Sequence, residues 1–226
     1  MPSTIVHAGF ALLCAAALLD DRLLDRRALA VLLVVVVLPE ADSFLGFVMA
    51  GAHRTVGHTF VIPAVAALAL SYDTRVRETS AVRERLSDRW IAVAWVALFV
   101  HVFAHVSLDW THLDGVNAFW PLRDRFFHLD GEILYSTADG FVQTFVDVRI
   151  DPETGSRTVD AGGGGTSESV HVDNPVEPRD PDLDIEEPVD RRFPVANAGW
   201  RLYLIGLGLF ALGARRLQGE GKPTEK

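Results

Sequence analysis

The sequence predicts an all-α integral membrane protein: a helical bundle of about five helices carrying an acidic insertion that is partly β and partly disordered. Three observations carry this prediction. Five apolar runs punctuate the chain, at residues 4–19, 28–38, 59–72, 90–108 and 200–214. The 226 residues are 49% hydrophobic with a mean hydropathy of +0.20 and yet 23% charged, so the two classes must be segregated along the chain. They are: residues 151–190 hold 12 acidic side chains against only Arg157 and Arg179, which outweighs the whole formal net charge of −9. The expected units are a membrane helical domain at 1–140, an acidic exposed insertion at 141–195, and a last membrane helix with a short tail at 196–226.

This balance excludes nucleic acid as a partner, because nucleic-acid binding needs a basic face. Of the 21 basic residues only Lys222 and Lys226 are lysines, and with the acidic segment this fits adaptation to high salt. A single cysteine, Cys14, rules out an internal disulfide and a cysteine-based zinc knuckle.

The first apolar run lacks the basic start and small-residue cleavage site of a signal peptide, is followed by DDRLLDRR and contains His7. It is read as a retained helix. The second run is short for a span and stops at Pro39. Residues 39–58, PEADSFLGFVMAGAHRTVGH, form a connection dotted with polar groups. The third run carries Pro63 in its first turns, where a missing N–H costs little. Arginines follow at 75, 77, 83, 85 and 89, then the fourth run, 19 residues without a formal charge. In the insertion, FVQTFVDVRI alternates as a strand does, DPETG suits a turn into a second strand at 156–160, and GGGGTSES has linker composition. Residues 174–190 have too few apolar side chains to bury.

Arginine-rich loops stay on the inner side of a membrane. Arg22, Arg26 and Arg27, the five arginines at 75–89, and Arg215 with Arg216 then all lie inside, which places the N-terminus outside. The protein is thus expected in the cell membrane, multi-pass, against the lipid bilayer. The same assignment gathers His7, the 39–58 connection and the end of the fourth run at the outer side.

That end reads HVFAHVSLDWTHLDG. On an ideal helix His101, His105, Asp109 and His112 fall within roughly an 80° arc. Histidine nitrogens and carboxylate oxygens are the usual donors to zinc-type ions, and polar groups in so apolar a segment mark a functional site. Other pieces offer donors too: His7, Glu40 with Asp42, and His53 with His58, which can serve one site if a turn at Gly57 lies between them.

This set resembles the YdjM-like family of membrane-bound, metal-dependent hydrolases, also described as LexA-binding and inner-membrane-associated. The family combines an early His, a leucine-proline-acidic element, an HR-x-x-x-H block and H-x-x-x-D before a glycine and a later proline. Here these are His7, LPEAD at 38–42, HRTVGHT at 53–59, and HVSLD at 105–109 with Gly115 and Pro121. Glu40 replaces the first of the family's usual two aspartates, and Thr59 stands where Ser is frequent. The order is also similar, at fold level, to the helical zinc-dependent phospholipase C and single-strand nuclease group, an analogy that points to phosphoester chemistry.

The resemblance implies a metal-dependent hydrolase with a divalent metal cofactor, zinc by preference and one to three ions, that activates water for attack on a lipid or other phosphoester substrate. His7, Asp42, His53, His58, His105 and Asp109 are the expected ligands. Glu40 is the expected general base, and Arg54 either stabilises an anionic oxygen or pairs with Glu40 or Asp42. His101 and His112 are expected to orient ligands from behind. A rival reading is a membrane metal-binding or transport protein without hydrolase activity, which calls for ligands at mid-membrane on broken helices. Another is a non-catalytic scaffold whose insertion recruits a partner.

Overall fold

The computed structural model describes residues 3–47, 49, 51–152, 155–172 and 193–220. These are mostly helical. Helix α1 (Thr4–Leu18) begins at Ser3, whose hydroxyl accepts the Val6 amide. Helix α2 (Arg26–Val37) begins at Asp25, whose carboxylate takes the Arg27 and Ala28 amides at 3.0 and 2.9 Å, satisfying donors that a helix start leaves open.

The chain does not stop at Pro39 as expected. Proline lacks only an N–H and its φ suits a helix, so the backbone tightens into a 3-10 helix, Leu38–Phe47. The combined element Arg26–Phe47 has 22 residues, long and apolar enough to cross a membrane. Helices α3 (Val61–Arg75) and α4 (Ala81–Arg85) follow. Then α5 (Asp88–Val100) runs without interruption into a π-helical turn, His101–Val106, and α6 (Ser107–Trp110). This second long element, Asp88–Trp110, has 23 residues and also passes the length and hydropathy test.

The core joins one face of each of three helices. Ala11, Cys14, Ala15 and Leu19 pack against Ala28, Leu29, Leu32 and Val36, and both sets meet Val93, Ala97, Val100 and Ala104. Helix α7 (Gly199–Glu220) lies along α1 at backbone distance. A Cβ added at Gly208 would run into the Gly9 carbonyl, and one at Gly9 would sit 2.7 Å from the Ile205 Cα. Small residues permit this approach between apolar helices. Ser3 meets Val195 at one end, and Arg215 bonds the Leu19 carbonyl and Asp21 at the other, so α1 and α7 run parallel.

Two antiparallel hairpins follow α6, β1 (Ile133–Ser136) with β2 (Gly140–Gln143) and β3 (Asp147–Ile150) with β4 (Arg157–Asp160), so β structure begins ahead of the boundary expected at 141. The single strand expected across 141–150 is therefore two, belonging to different hairpins. The glycine-rich stretch is not a free linker. Gly162, Gly164 and Gly165 exchange backbone hydrogen bonds with Phe126 and His128, and the buried Ser167 bonds both Asp124 oxygens. A side chain at Gly51, whose φ is +63°, would run into the Ser167 carbonyl, so this strap braces the loop that leads to His53. The expected disordered segment at 174–190 lies outside the described residues.

Candidate metal centre

His7 sits in the second turn of α1, fully buried. Its Nδ1 is 2.8 Å from the Ala104 carbonyl in the π-helical turn. A carbonyl only accepts, so Nδ1 carries the proton and the neutral ring keeps its lone pair on Nε2. That Nε2 has no hydrogen-bond partner among the described residues.

The 3-10 helix supplies Glu40, Asp42 and Ser43, and the loop after it supplies His53, Arg54 and His58. The loop folds back tightly: a Cβ at Gly57 would lie 2.6 Å from the Pro39 carbonyl oxygen, and Arg54 adopts a φ of +61° that non-glycine residues rarely hold. Asp42 binds this loop with both oxygens. Oδ1 accepts from His53 Nδ1 at 2.9 Å; Oδ2 accepts from His58 Nδ1 at 2.8 Å and the Gly57 amide at 3.1 Å. Both rings are thus turned to present Nε2.

His58 Nε2 faces Asp109 Oδ2 at 3.2 Å and His105 Nε2 at 2.9 Å. The same carboxylate oxygen lies 3.5 Å from His7 Nε2 and 3.6 Å from His105 Nε2, and Glu40 Oε1 is 3.7 Å from His7 Nε2. His7, Glu40, His105 and Asp109 bring their donor atoms within 4.8 Å of one another, a group that can hold a metal ion. Bonds of about 2.0–2.2 Å at tetrahedral angles place donors about 3.3–3.6 Å apart. The spacings around Asp109 Oδ2 fit that figure, and the oxygen is itself buried with no hydrogen-bond partner among the described residues.

Burial works against a charged His58 ring, but the Asp42 carboxylate and then Asp109 outweigh it and push its pKa up to about 10. A ring this basic calls for a cation between itself and Asp109, a demand that a proton or a metal ion meets alike.

The remaining expected residues stand around this centre. His53 Nε2 is buried and unpartnered among the described residues, with its ring 5.6 Å from that of His58. Arg54 is fully buried; its Nη2 reaches Asp109 Oδ1 at 3.4 Å and its Nη1 the Gly115 carbonyl at 3.2 Å. Of its two expected partners, then, Arg54 takes neither Glu40 nor Asp42 as its nearest carboxylate. His101 stacks 6.3 Å from His105 and turns to the Val35 backbone. His112 does not share the inner face. It lies past the helix end against Asp114 and Arg54, and burial followed by the Arg54 charge lowers its pKa. The helical ruler fails there because the helix ends at Trp110, before His112 is reached.

The sequence reading missed two features. The Ala104 carbonyl that fixes the His7 ring leaves no trace in side-chain pattern. Arg201, buried at the start of α7, was in plain view as the second residue of the last apolar run.

Fold and site together define a helical, membrane-type protein with a buried histidine–carboxylate centre suited to a metal ion. The chain belongs to the YdjM inner membrane protein family, whose family model matches residues 1–156. No curated protein and no solved structure matches it.

Proposed function

We propose that this protein is a membrane-embedded, metal-dependent hydrolase acting on a phosphoester, with its site at the outer face of a five-span bundle. One observation carries the reading: the Nε2 atoms of three buried imidazoles converge on Asp109 Oδ2, a buried oxygen with no hydrogen-bond partner among the described residues. Acceptors crowded together in a dry interior are costly unless a cation lies between them.

His7, His58 and His105 through Nε2 and Asp109 through Oδ2 would hold a divalent ion of zinc type, with His53 Nε2 as a further donor. When bound, such an ion supplies Lewis acidity, which acidifies water and polarises a phosphoryl oxygen. Asp42 is assigned to positioning, since its oxygens already hold both loop histidines in the donor tautomer. Glu40 is the partly exposed member of the cluster, at 18%, and is placed to take a proton from water entering there. Arg54 holds Asp109 in place and offers charge to an anionic oxygen.

The arginine pattern supports the orientation, and the parallel packing of α1 and α7 fits the five-span count, since the first and fifth of five alternating spans must run the same way. The test is metal content of the purified protein and of Asp109→Asn, followed by a phosphoester panel. Wild type should carry metal and hydrolyse a phosphoester; Asp109→Asn should fold, lose the metal and lose activity by orders of magnitude. Metal-loaded wild type inert on every phosphoester would leave a metal-binding or transport role. Full metal content in Asp109→Asn would sink the centre itself.

A further inference from the structure

Beside the cluster lies a second buried charge that the hydrolase reading does not use. Arg201 stands in the first turn of α7, outside the residues that match the family model, and is 7% exposed. Its Nη1 donates to the Asn197 side chain, and its guanidinium lies over the Trp200 ring at 5.0 Å. Its Nε is buried with no hydrogen-bond partner among the described residues, as is that of Arg54.

Packing fixes the height of Arg201. Ser3 meets Val195, and Gly9 meets Ile205 and Gly208. Arg201 precedes Ile205 by about one helical turn, roughly 6 Å, which sets it level with the turn of α1 that carries His7. Asp109 and Arg54 both lie within its electrostatic reach.

Arg54 pairs with Asp109, the carboxylate on which the histidines converge, and more distantly with Asp114 at 3.9 Å, whereas Arg201 has no carboxylate partner among the described residues. A divalent ion held there draws off the Asp109 charge and leaves Arg54 with only the half-exposed Asp114 and Arg201 with no carboxylate, which is unfavourable in a dry interior. An oxyanion bound next to the cluster restores the balance, and free guanidinium edges suit its geometry. Building on the metal reading above, we infer that Arg201 and Arg54 together clamp a phosphate-like oxyanion of the substrate beside the cluster, with Arg201 contributed by the helix that the family model leaves out.

The test is inorganic phosphate binding to the full-length protein in detergent after zinc loading, measured by calorimetry beside zinc content. Arg201→Gln should keep its zinc and bind phosphate about tenfold more weakly or worse. Arg201→Lys keeps the charge without the fork and should fall between. Equal phosphate affinity in wild type and Arg201→Gln overturns the clamp while leaving the metal centre standing. So does loss of zinc and phosphate together in both variants, which makes Arg201 a structural residue. A wild type that takes up no zinc overturns the metal reading and, with it, the clamp that rests on it.

Discussion

The two ends of the helical layer handle charge in opposite ways. At one end Arg89 pairs with the capping Asp25, Arg77 with Asp73 and Arg215 with Asp21, each pair with at least one partner open to solvent and joined to regular helix ends. At the other end His7, Asp42, His53, His58, His105 and Asp109 are buried, and both long helices give up α geometry there. One tightens into a 3-10 helix and the other widens into a π turn. Charges in water need only a cap and a neighbour. Groups that must be dry and aimed at one point need the backbone bent off the 3.6-residue ruler, which is where π turns recur in proteins.

The sharpest way to break this contrast is to remove the π turn. Phe103 is 47% exposed within it, so its deletion costs little packing. Shortening the segment by one residue closes the wide turn to α geometry and so moves the Ala104 carbonyl and His105, which lie inside it, away from His7 and His58. The deletion variant should insert and retain its helix content by circular dichroism, yet hold no metal. Metal retained at the wild-type level would show the wide turn to be incidental to the centre.

A smaller effect is expected behind the histidines. Asp42→Asn keeps size and one acceptor but can no longer take protons from both His53 and His58. Metal affinity should fall about 10–100-fold, the usual cost of losing an orienting partner. In the metal-free protein, ¹⁵N spectra should show at least one of the two rings losing its Nδ1–H hydrogen bond. With cobalt as the probe ion, an unchanged coordination number in Asp42→Asn supports positioning, and a lost ligand would make Asp42 a metal ligand after all.

How much of this was legible beforehand follows the same divide. Runs of apolar residues located the helices because burial and hydropathy are summed over many positions. They could not show that Leu38–Phe47 continues α2, since Pro39 and the polar residues after it argue for a break and only tertiary packing decides otherwise. Residue types named candidate donors, but type does not reveal which oxygen already has a partner: both Asp42 oxygens are engaged by His53 and His58. His112 reads as part of the histidine face only if the helix stays regular to its end. The glycines at 162–165 read as linker because flexibility and close backbone approach demand the same residue. Arg201 is hidden for a related reason, a lone cation in an apolar run being as readily a snorkelling end.

At the exposed end the expected effects are smallest, and there the sign of a pH dependence is clear. Asp73 lies at the end of α3 and accepts from Arg77 Nη1 at 2.8 Å, Ser80 Oγ at 2.6 Å, and the Ala81 and Val82 amides that open α4. The Ser80 hydroxyl first, then the Val82 amide, hold its pKa down at about 2, below the ordinary aspartate value. A carboxylate depressed on folding lends stability that is fully present above its unfolded pKa, about 3.9. That stability is lost as pH falls through the folded value. The window is therefore about pH 4 to pH 2. In Asp73→Asn the charge is absent throughout, so its Tm should fall short of the wild type's by a margin that is constant above about pH 5. The margin should close as the wild-type carboxylate takes up its proton. It should be small beside the donor-end losses, because the Arg77 partner is exposed and screened by solvent and salt, and metal content should not change at all. A margin that persists undiminished at the acid end of the titration would mean that Asp73 acts through shape and not through charge.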